Sequence, residues 1–287
     1  MPSLMQIRLI MTLVVRDEAD LIQDQIRYHR AQGVDHFLVI DHRSLDATPE
    51  LLQPFIRAGW LTLFHKSSLA RYQGEWVTSL ARLAAKELQA DWVINNDADE
   101  FWWSEQGLLK EVFDKIPEHY RLAVAQRHNF VACTAHENQR FWQNQYYRQI
   151  ESVNFLGQPL SAKLCHRGEA GLTVHHGNHS VAPMQKEDIW PESAFEIFHF
   201  PVRTYAQFES KVRNGGGSWV ANRSVSQDIG EGKRSLYMAY LTGTLKNTYT
   251  DWFFDGFGLN QALKQKQLCQ DKRLRNFMLQ LTSDNEK

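Results

Sequence analysis

The first hundred residues repeat one pattern, and it narrows the possible fold more than any other feature. Residues 7–15 contain the apolar run Leu9-Ile10-Met11-Thr12-Leu13-Val14-Val15. A continuous run of this length is expected of a parallel strand covered on both faces. A helical spacing of Leu21, Ile22, Ile26 and Tyr28 follows within residues 18–32 and stops at Gly33. His36-Phe37-Leu38-Val39-Ile40 reads as a second buried strand ending at Asp41. Asp46-Ala47-Thr48-Pro49 opens a helix carrying Leu51, Leu52, Phe55 and Ile56. Leu61-Thr62-Leu63-Phe64 is a third strand, and residues 75–89 are a helix with Trp76, Leu80, Leu83, Ala84 and Leu88. Trp92-Val93-Ile94 is a fourth strand. The order βαβαβαβ predicts an α/β fold, with a mainly parallel central sheet and helices on both faces.

Ligands of such sheets bind outside the carboxyl ends of the strands. Three polar clusters stand there: Arg16-Asp17-Glu18, Asp41-His42-Arg43-Ser44 and Asp97-Ala98-Asp99-Glu100. All three are expected to face one crevice. After residue 120 the pattern is mixed. Residues 122–133 look strand-like, 139–150 have no clear period, and 168–182 are rich in Gly and His. Gly215-Gly216-Gly217 reads as a flexible turn, and the last 30 residues as an amphipathic helix with Leu274, Phe277, Met278 and Leu281 on one face. No long linker interrupts the 287 residues, so one domain is expected.

Charge and cysteines exclude some classes. With 32 basic and 33 acidic residues the chain has no basic excess, so no nucleic-acid partner is expected. Cys133, Cys165 and Cys269 are odd in number and far apart, which fits a reducing cytoplasm better than a disulfide framework. The N-terminal apolar run is too short to span a membrane.

The sharpest chemical feature is Asp97-Ala98-Asp99. Two carboxylates two residues apart at a strand end point to the same side. Such a pair can hold Mg²⁺ or Mn²⁺ through oxygen, with substrate phosphates and water completing the shell. A diphosphate leaving group needs that help as negative charge builds on it. The bland alternative is a solvated acidic loop. Asp41 can accept a hydrogen bond from a base N–H or from ribose hydroxyls. Ser44 and Asp46 suit turn and N-cap roles.

Together these pieces resemble a known family. Val15-Arg16-Asp17-Glu18-Ala19-Asp20, Tyr28 to His36, the Asp41 cluster and Asp91 to Phe101 look like family 2-type glycosyltransferases of the GT-A fold. More narrowly they resemble a bacterial subgroup related to family 92. The likeness is specific over residues 7–103. It is weaker at Gly177-Asn178-His179, at Phe198 to Arg203 and at Phe208 to Val212. It implies a metal-dependent, inverting enzyme moving a sugar from a nucleotide-diphosphate donor, with a UDP-sugar favoured, to an acceptor hydroxyl. The acceptor would be a saccharide or lipid-linked molecule in surface polysaccharide or lipopolysaccharide synthesis. Residues 1–120 would then be the nucleotide-sugar half and 121–287 the acceptor side. The resemblance places Val15, Arg16, Glu18, Asp41, Asp97 and Ala98 against the donor. Asp97 would face ribose or sugar, Asp99 would ligate Mn²⁺ or Mg²⁺, and His199 would complete the metal shell. Two departures touch the nucleotide pocket: Asp17 and His42 stand where Asn is usual.

Further candidates are less sharply marked. Inverting transfer needs a general base, and Glu192, Glu196 and Asp228 are candidates. Glu100 is another, or a cap for a helix after the acidic pair. Arg71, Lys211 and Arg213 suit phosphate contacts, with the glycine run as a lid. His175, His176, His179 and His199 would be the ligands of a zinc site, although their spacing matches no HExxH-type motif. Trp102, Trp103, Trp190 and Trp219 suit sugar stacking or core packing. Lys264, Lys266, Lys272, Arg273 and Arg275 form a basic face that can lie on an anionic membrane, giving peripheral contact at the inner membrane face. The rival readings are a nucleotidyltransferase, a non-catalytic sugar-binding module and a metal-dependent hydrolase.

Overall fold

In a computed structural model of the chain, the described residues are 7–68, 72–133, 139–221 and 231–284. The elements run β1 (Leu9–Val15), α1 (Ile22–Ala31), β2 (His36–Asp41), α2 (Thr48–Arg57), β3 (Leu61–His65), α3 (Gln73–Lys86) and β4 (Trp92–Asn96). They continue with β5 (Glu100–Trp103), α4 (Leu109–Asp114), β6 (Leu122–Asn129), β7 (Ala132–Cys133), α5 (Phe141–Asn144), β8 (Tyr147–Gln149) and β9 (Lys163–Arg167). Next come β10 (Thr173–Val174), β11 (Val181–Ala182), β12 (Phe195–His199), α6 (Tyr205–Ala221), α7 (Glu231–Leu241) and α8 (Leu245–Trp252). The chain closes with β13 (Phe253–Phe254), α9 (Gly256–Lys264), β14 (Leu268–Gln270) and α10 (Arg273–Asp284).

The expected α/β architecture is present. Eight strands form one sheet in the order β3-β2-β1-β4-β9-β6-β12-β5. The pairs β3–β2, β2–β1 and β1–β4 are parallel, while β9 runs antiparallel to both β4 and β6. Successive side chains of β1 leave on opposite faces, and a helix covers each face. On one, Trp76, Val77, Leu80, Ala81 and Ala84 of α3 cluster with Ile10, Val14, Leu38, Ile40 and Val93. On the other, α1 reaches Met11 through Gln25 and ties down β5. There Tyr28 Oη donates to the Trp102 carbonyl at 2.7 Å, and His29 Nε2 accepts from the Trp102 N–H at 3.1 Å.

The chain groups into two compact units, residues 1–67, 72–127 and 161–197 in the first and 68–71, 128–160 and 198–287 in the second. In the second unit β7 pairs with β13 and β8 with β14. Ala132, Val202, Phe208, Val212, Leu236 and Leu245 form a core there. Among the described residues no helix is long and apolar enough to cross a membrane.

Three local expectations need correction. Gly215-Gly216-Gly217 is no turn but lies inside α6. A Cβ on Gly216 would stand 2.5 Å from the Tyr237 Cβ, so glycine here allows α6 and α7 to approach closely. The last 30 residues are not one helix: α9, β14 and the 12-residue α10 share them. Pairing of β14 with β8 interrupts the helical run, while Leu274 and Met278 of α10 are buried as expected. Glu100 caps no helix, because a strand, β5, begins with it.

Two measurements follow from this packing. Substituting Gly216→Val inserts atoms where the neighbouring side-chain root cannot yield, and should destabilise by about 1–3 kcal/mol, read as a lower urea midpoint. Buried His29 and His166 are pushed down from 6.5 to about 3 and about 4 by desolvation. The unfolded chain therefore binds protons that the folded one refuses. This contribution is complete above pH 6.5 and is lost as pH falls towards 4, by up to about 1.4 kcal/mol per ring per pH unit. Urea midpoints should fall between pH 7 and 5; an unchanged midpoint would refute the assignment.

Candidate active site

Parallel pairing of β2, β1 and β4 brings their carboxyl ends to one edge, with Val15 opposite Asp41 and Leu13 opposite Asn96. From β1 the sheet grows first to β2 and β3 on one side and then to β4 on the other. Such a reversal of strand order opens a crevice beside the strand ends, the usual place for a ligand.

The first two exits are locked together by hydrogen bonds. Asp17 N–H donates to Ser44 Oγ at 3.0 Å, and Asp17 Oδ1 accepts from the Leu45 N–H at 2.6 Å. Glu18 N–H donates to Thr48 Oγ1 at 2.9 Å. Asp46 takes the Ala19 N–H on one oxygen, and the Thr48 N–H and hydroxyl on the other. Asp46 thus closes a turn, while the N-cap of α2 is Ala47. Asp17 and Arg43 adopt positive φ, 53° and 58°, as the tight exits demand. Asp41 is buried, with the Ser44 N–H and His65 Nδ1 each 3.4 Å from its carboxylate. His42 turns its ring edge-on to Trp76 of α3 at 4.8 Å, and its N–H donates to the Val15 carbonyl.

The third exit is braced from below. Asn95 Oδ1 accepts from Thr12 Oγ1, and Asn96 bridges the Glu100 carbonyl and the Trp102 indole N–H. The Asn96 amide thus spans the Asp97-Ala98-Asp99 turn, which the Glu100 N–H closes onto the Asp97 carbonyl at 3.2 Å. The Asp97 carboxylate accepts Gln73 Nε2 on Oδ1 at 3.3 Å and Lys163 Nζ on Oδ2 at 2.6 Å. Lys163 Nζ also lies 3.2 Å from Glu100 Oε2, and Arg127 Nη1 lies 3.4 Å from Glu100 Oε1. Burial pushes the Glu100 carboxyl up; Lys163 and Arg127 oppose that, while Asp97 and Asp99 add to it. Alongside, His179 Nδ1–H donates to the Ala162 carbonyl at 2.7 Å, and desolvation with Lys163 lowers its ring to about 4.

Residues 11–215 match the sequence model of glycosyltransferase family 92. The chain belongs to glycosyltransferase family 92. Solved structures give looser likenesses. TarS of S. aureus in complex with UDP is 12% identical over 82% of this chain and 72% of its own, at a TM-score of 0.41. The mannosyltransferase PcManGT of Pyrobaculum calidifontis, in complex with GDP-Man and Mn²⁺, is 12% identical over 90% of this chain and 75% of its own, also at 0.41. No curated protein matches. Family membership makes the chain a glycosyltransferase, and the nucleotidyltransferase, hydrolase and non-catalytic readings are set aside.

The family 92 chain holds its remaining candidates in varied settings. Val15, Ala98 and Glu18 are buried at the exits, and Arg16 Nε lies 3.6 Å from Asp17. Asp97 and Asp99 fit a divalent cation as a hard oxygen pair on a fixed turn, the kind of site that Mg²⁺ completes with phosphates and water. Among the described residues no group of three or more His, Cys, Asp or Glu is gathered to hold a metal. His199 belongs to no such group: in the second unit its Nδ1 lies 2.7 Å from Asn129 Oδ1. The same holds for His175, His176 and His179 as a zinc site. Glu192 is exposed before β12, and Glu196 is half-buried within it. Lys211 is half-buried and Arg213 exposed, both on α6 of the second unit. Arg71, Asp228 and the Trp219 side chain lie outside the described residues. Trp102 and Trp190 are core; the Trp103 indole donates to Glu105. Of the basic tail, Arg273 bonds Asp271 and covers Phe198, while Lys272 and Arg275 cover Tyr146.

Sequence reading missed Gln73, Lys163 and Arg127. No motif marks them; each arrives at Asp97 or Glu100 from a separate element. Asp46→Ala removes the acceptors that join the first two exits and should cost about 1–2 kcal/mol, visible in thermal unfolding. Asp46→Asn keeps one oxygen and should melt nearer to wild type.

Proposed function

We propose that this enzyme transfers a sugar from a nucleotide-diphosphate donor, with a UDP-sugar favoured, to an acceptor hydroxyl. The observation that carries the reading is the braced Asp97-Ala98-Asp99 turn at the β4 exit, beside the interlocked exits of β1 and β2. Asp41 accepts from a base N–H or the ribose, with Val15, Arg16 and Glu18 lining the nucleotide. Asp97 meets the sugar or ribose, and Asp97 and Asp99 hold Mn²⁺ or Mg²⁺. When bound, the metal offsets the charge that develops on the departing diphosphate. His199, Lys211 and Arg71 are the proposed further contacts to metal and phosphates.

The acceptor hydroxyl must lose a proton as it attacks the anomeric carbon, and inversion needs a carboxylate fixed near it. Glu192, Glu196 and Asp228 are the candidates; Glu196 is favoured over the exposed Glu192 because β12 holds it between buried Phe195 and Ile197. The acceptor is a saccharide or lipid-linked molecule of surface polysaccharide or lipopolysaccharide synthesis, met at the cytoplasmic face of the membrane.

A thermal-shift panel of UDP-, GDP-, CMP- and dTDP-sugars with and without Mn²⁺ tests this reading. A ligand at ~100 times its Kd should stabilise by about 2.7 kcal/mol. The expected result is a Mn²⁺-dependent shift with a UDP-sugar, lost in Asp99→Asn. No shift with any nucleotide would overturn the donor-site assignment.

A further inference from the structure

We infer that Lys163 is a positioning residue for the donor site, aiming the Asp97 carboxylate from beneath the β4 exit. The inference rests on the donor-site reading above. Lys163 is 1% exposed, whereas Asp97 keeps 30% of its side chain exposed. The ammonium therefore approaches Asp97 from the buried side and leaves the carboxylate's outer side to solvent. A carboxylate offers about four lone-pair sites. Lys163 at 2.6 Å and Gln73 at 3.3 Å each bond one of its oxygens.

The bond from Gln73 is longer and its donor uncharged, whereas the bond from Lys163 is short and joins two charged groups. Stability alone does not account for a buried lysine here. Burying such a charge costs several kcal/mol, and an apolar residue of similar volume often serves the fold as well. Glu100 already has Arg127 on its other oxygen. Lys163 is thus placed to link the two carboxylates, with Glu100 as the buried anchor and Asp97 as the group it presents. Nothing in the Lys163-Leu164-Cys165-His166-Arg167 strand marks this task by sequence. It arises because β9 pairs antiparallel with β4, which sets the start of β9 beside the end of β4.

The test titrates a UDP-sugar with Mn²⁺ into wild type, Lys163→Met, the double variant Lys163→Met/Glu100→Gln, Asp97→Asn, and Asp97→Asn/Lys163→Met. Lys163→Met leaves buried Glu100 with Arg127 alone and can fail to fold; the Glu100→Gln partner removes that charge and keeps the question readable. The double variant should bind donor at least tenfold more weakly than wild type, and Lys163→Met should add less than twofold once Asp97 is Asn. Wild-type affinity in Lys163→Met/Glu100→Gln would overturn the inference, because Lys163 would then serve only to neutralise Glu100. Multiplying losses from Asp97→Asn and Lys163→Met would overturn it too, by showing that they act independently. A wild type that ignores every nucleotide sinks the donor-site reading itself and this inference with it; a responsive wild type with an unaffected double variant sinks the inference alone.

Discussion

β1 pairs on one side with β2 and on the other with β4, parallel in both cases, and the site depends on that placement. Parallel ladders put every carboxyl end on the same edge. Three polar exits separated by about 25 and 55 residues in the chain are therefore neighbours in space. An antiparallel β2 or β4 would send Asp41 or Asp97 to the opposite edge. The register is held by burial, because all seven residues of β1 are buried and a shift of one would reverse which side chains face α1 and α3.

Buried polar groups at the exits convert that topology into a rigid surface. Thr12, Asn95 and Asn96 are polar residues in strands otherwise covered on both faces; Thr12 bonds Asn95 Oδ1 across the β1–β4 seam, and Asn96 is held by β5. An amide left unpaired there would cost more than the bond itself returns. This economy locks the acidic turn in one conformation. The ionic layer beneath works the same way: Glu100, Lys163 and Arg127 are costly to bury singly and tolerable together. A glycosyltransferase that must stabilise charge in its transition state gains from dipoles and charges fixed beforehand.

The second unit was less legible. Its strands are two or three residues long, and its helices meet through contacts such as Gly216 against Tyr237 rather than through strong amphipathic stripes. A glycine triplet reads locally as a turn, because glycine is flexible. Only the position of α7 shows that a missing side chain, not a bend, was needed.

The alternation of apolar runs and helical spacings, by itself, determined the α/β sheet, the order of its first elements and the positions of Asp41, Asp97 and Asp99 at strand ends. Those features depend on periodicity and sequence neighbours, so a linear reading reaches them. The tertiary structure alone decided that Lys163, Gln73 and Arg127 meet the acidic turn, that Asp46 and Ser44 couple two exits, and that the terminal basic residues cover Tyr146 and Phe198. These pairings join residues up to about 130 positions apart. They exist because strand order and helix packing bring distant side chains within bonding distance, a fact no local pattern encodes.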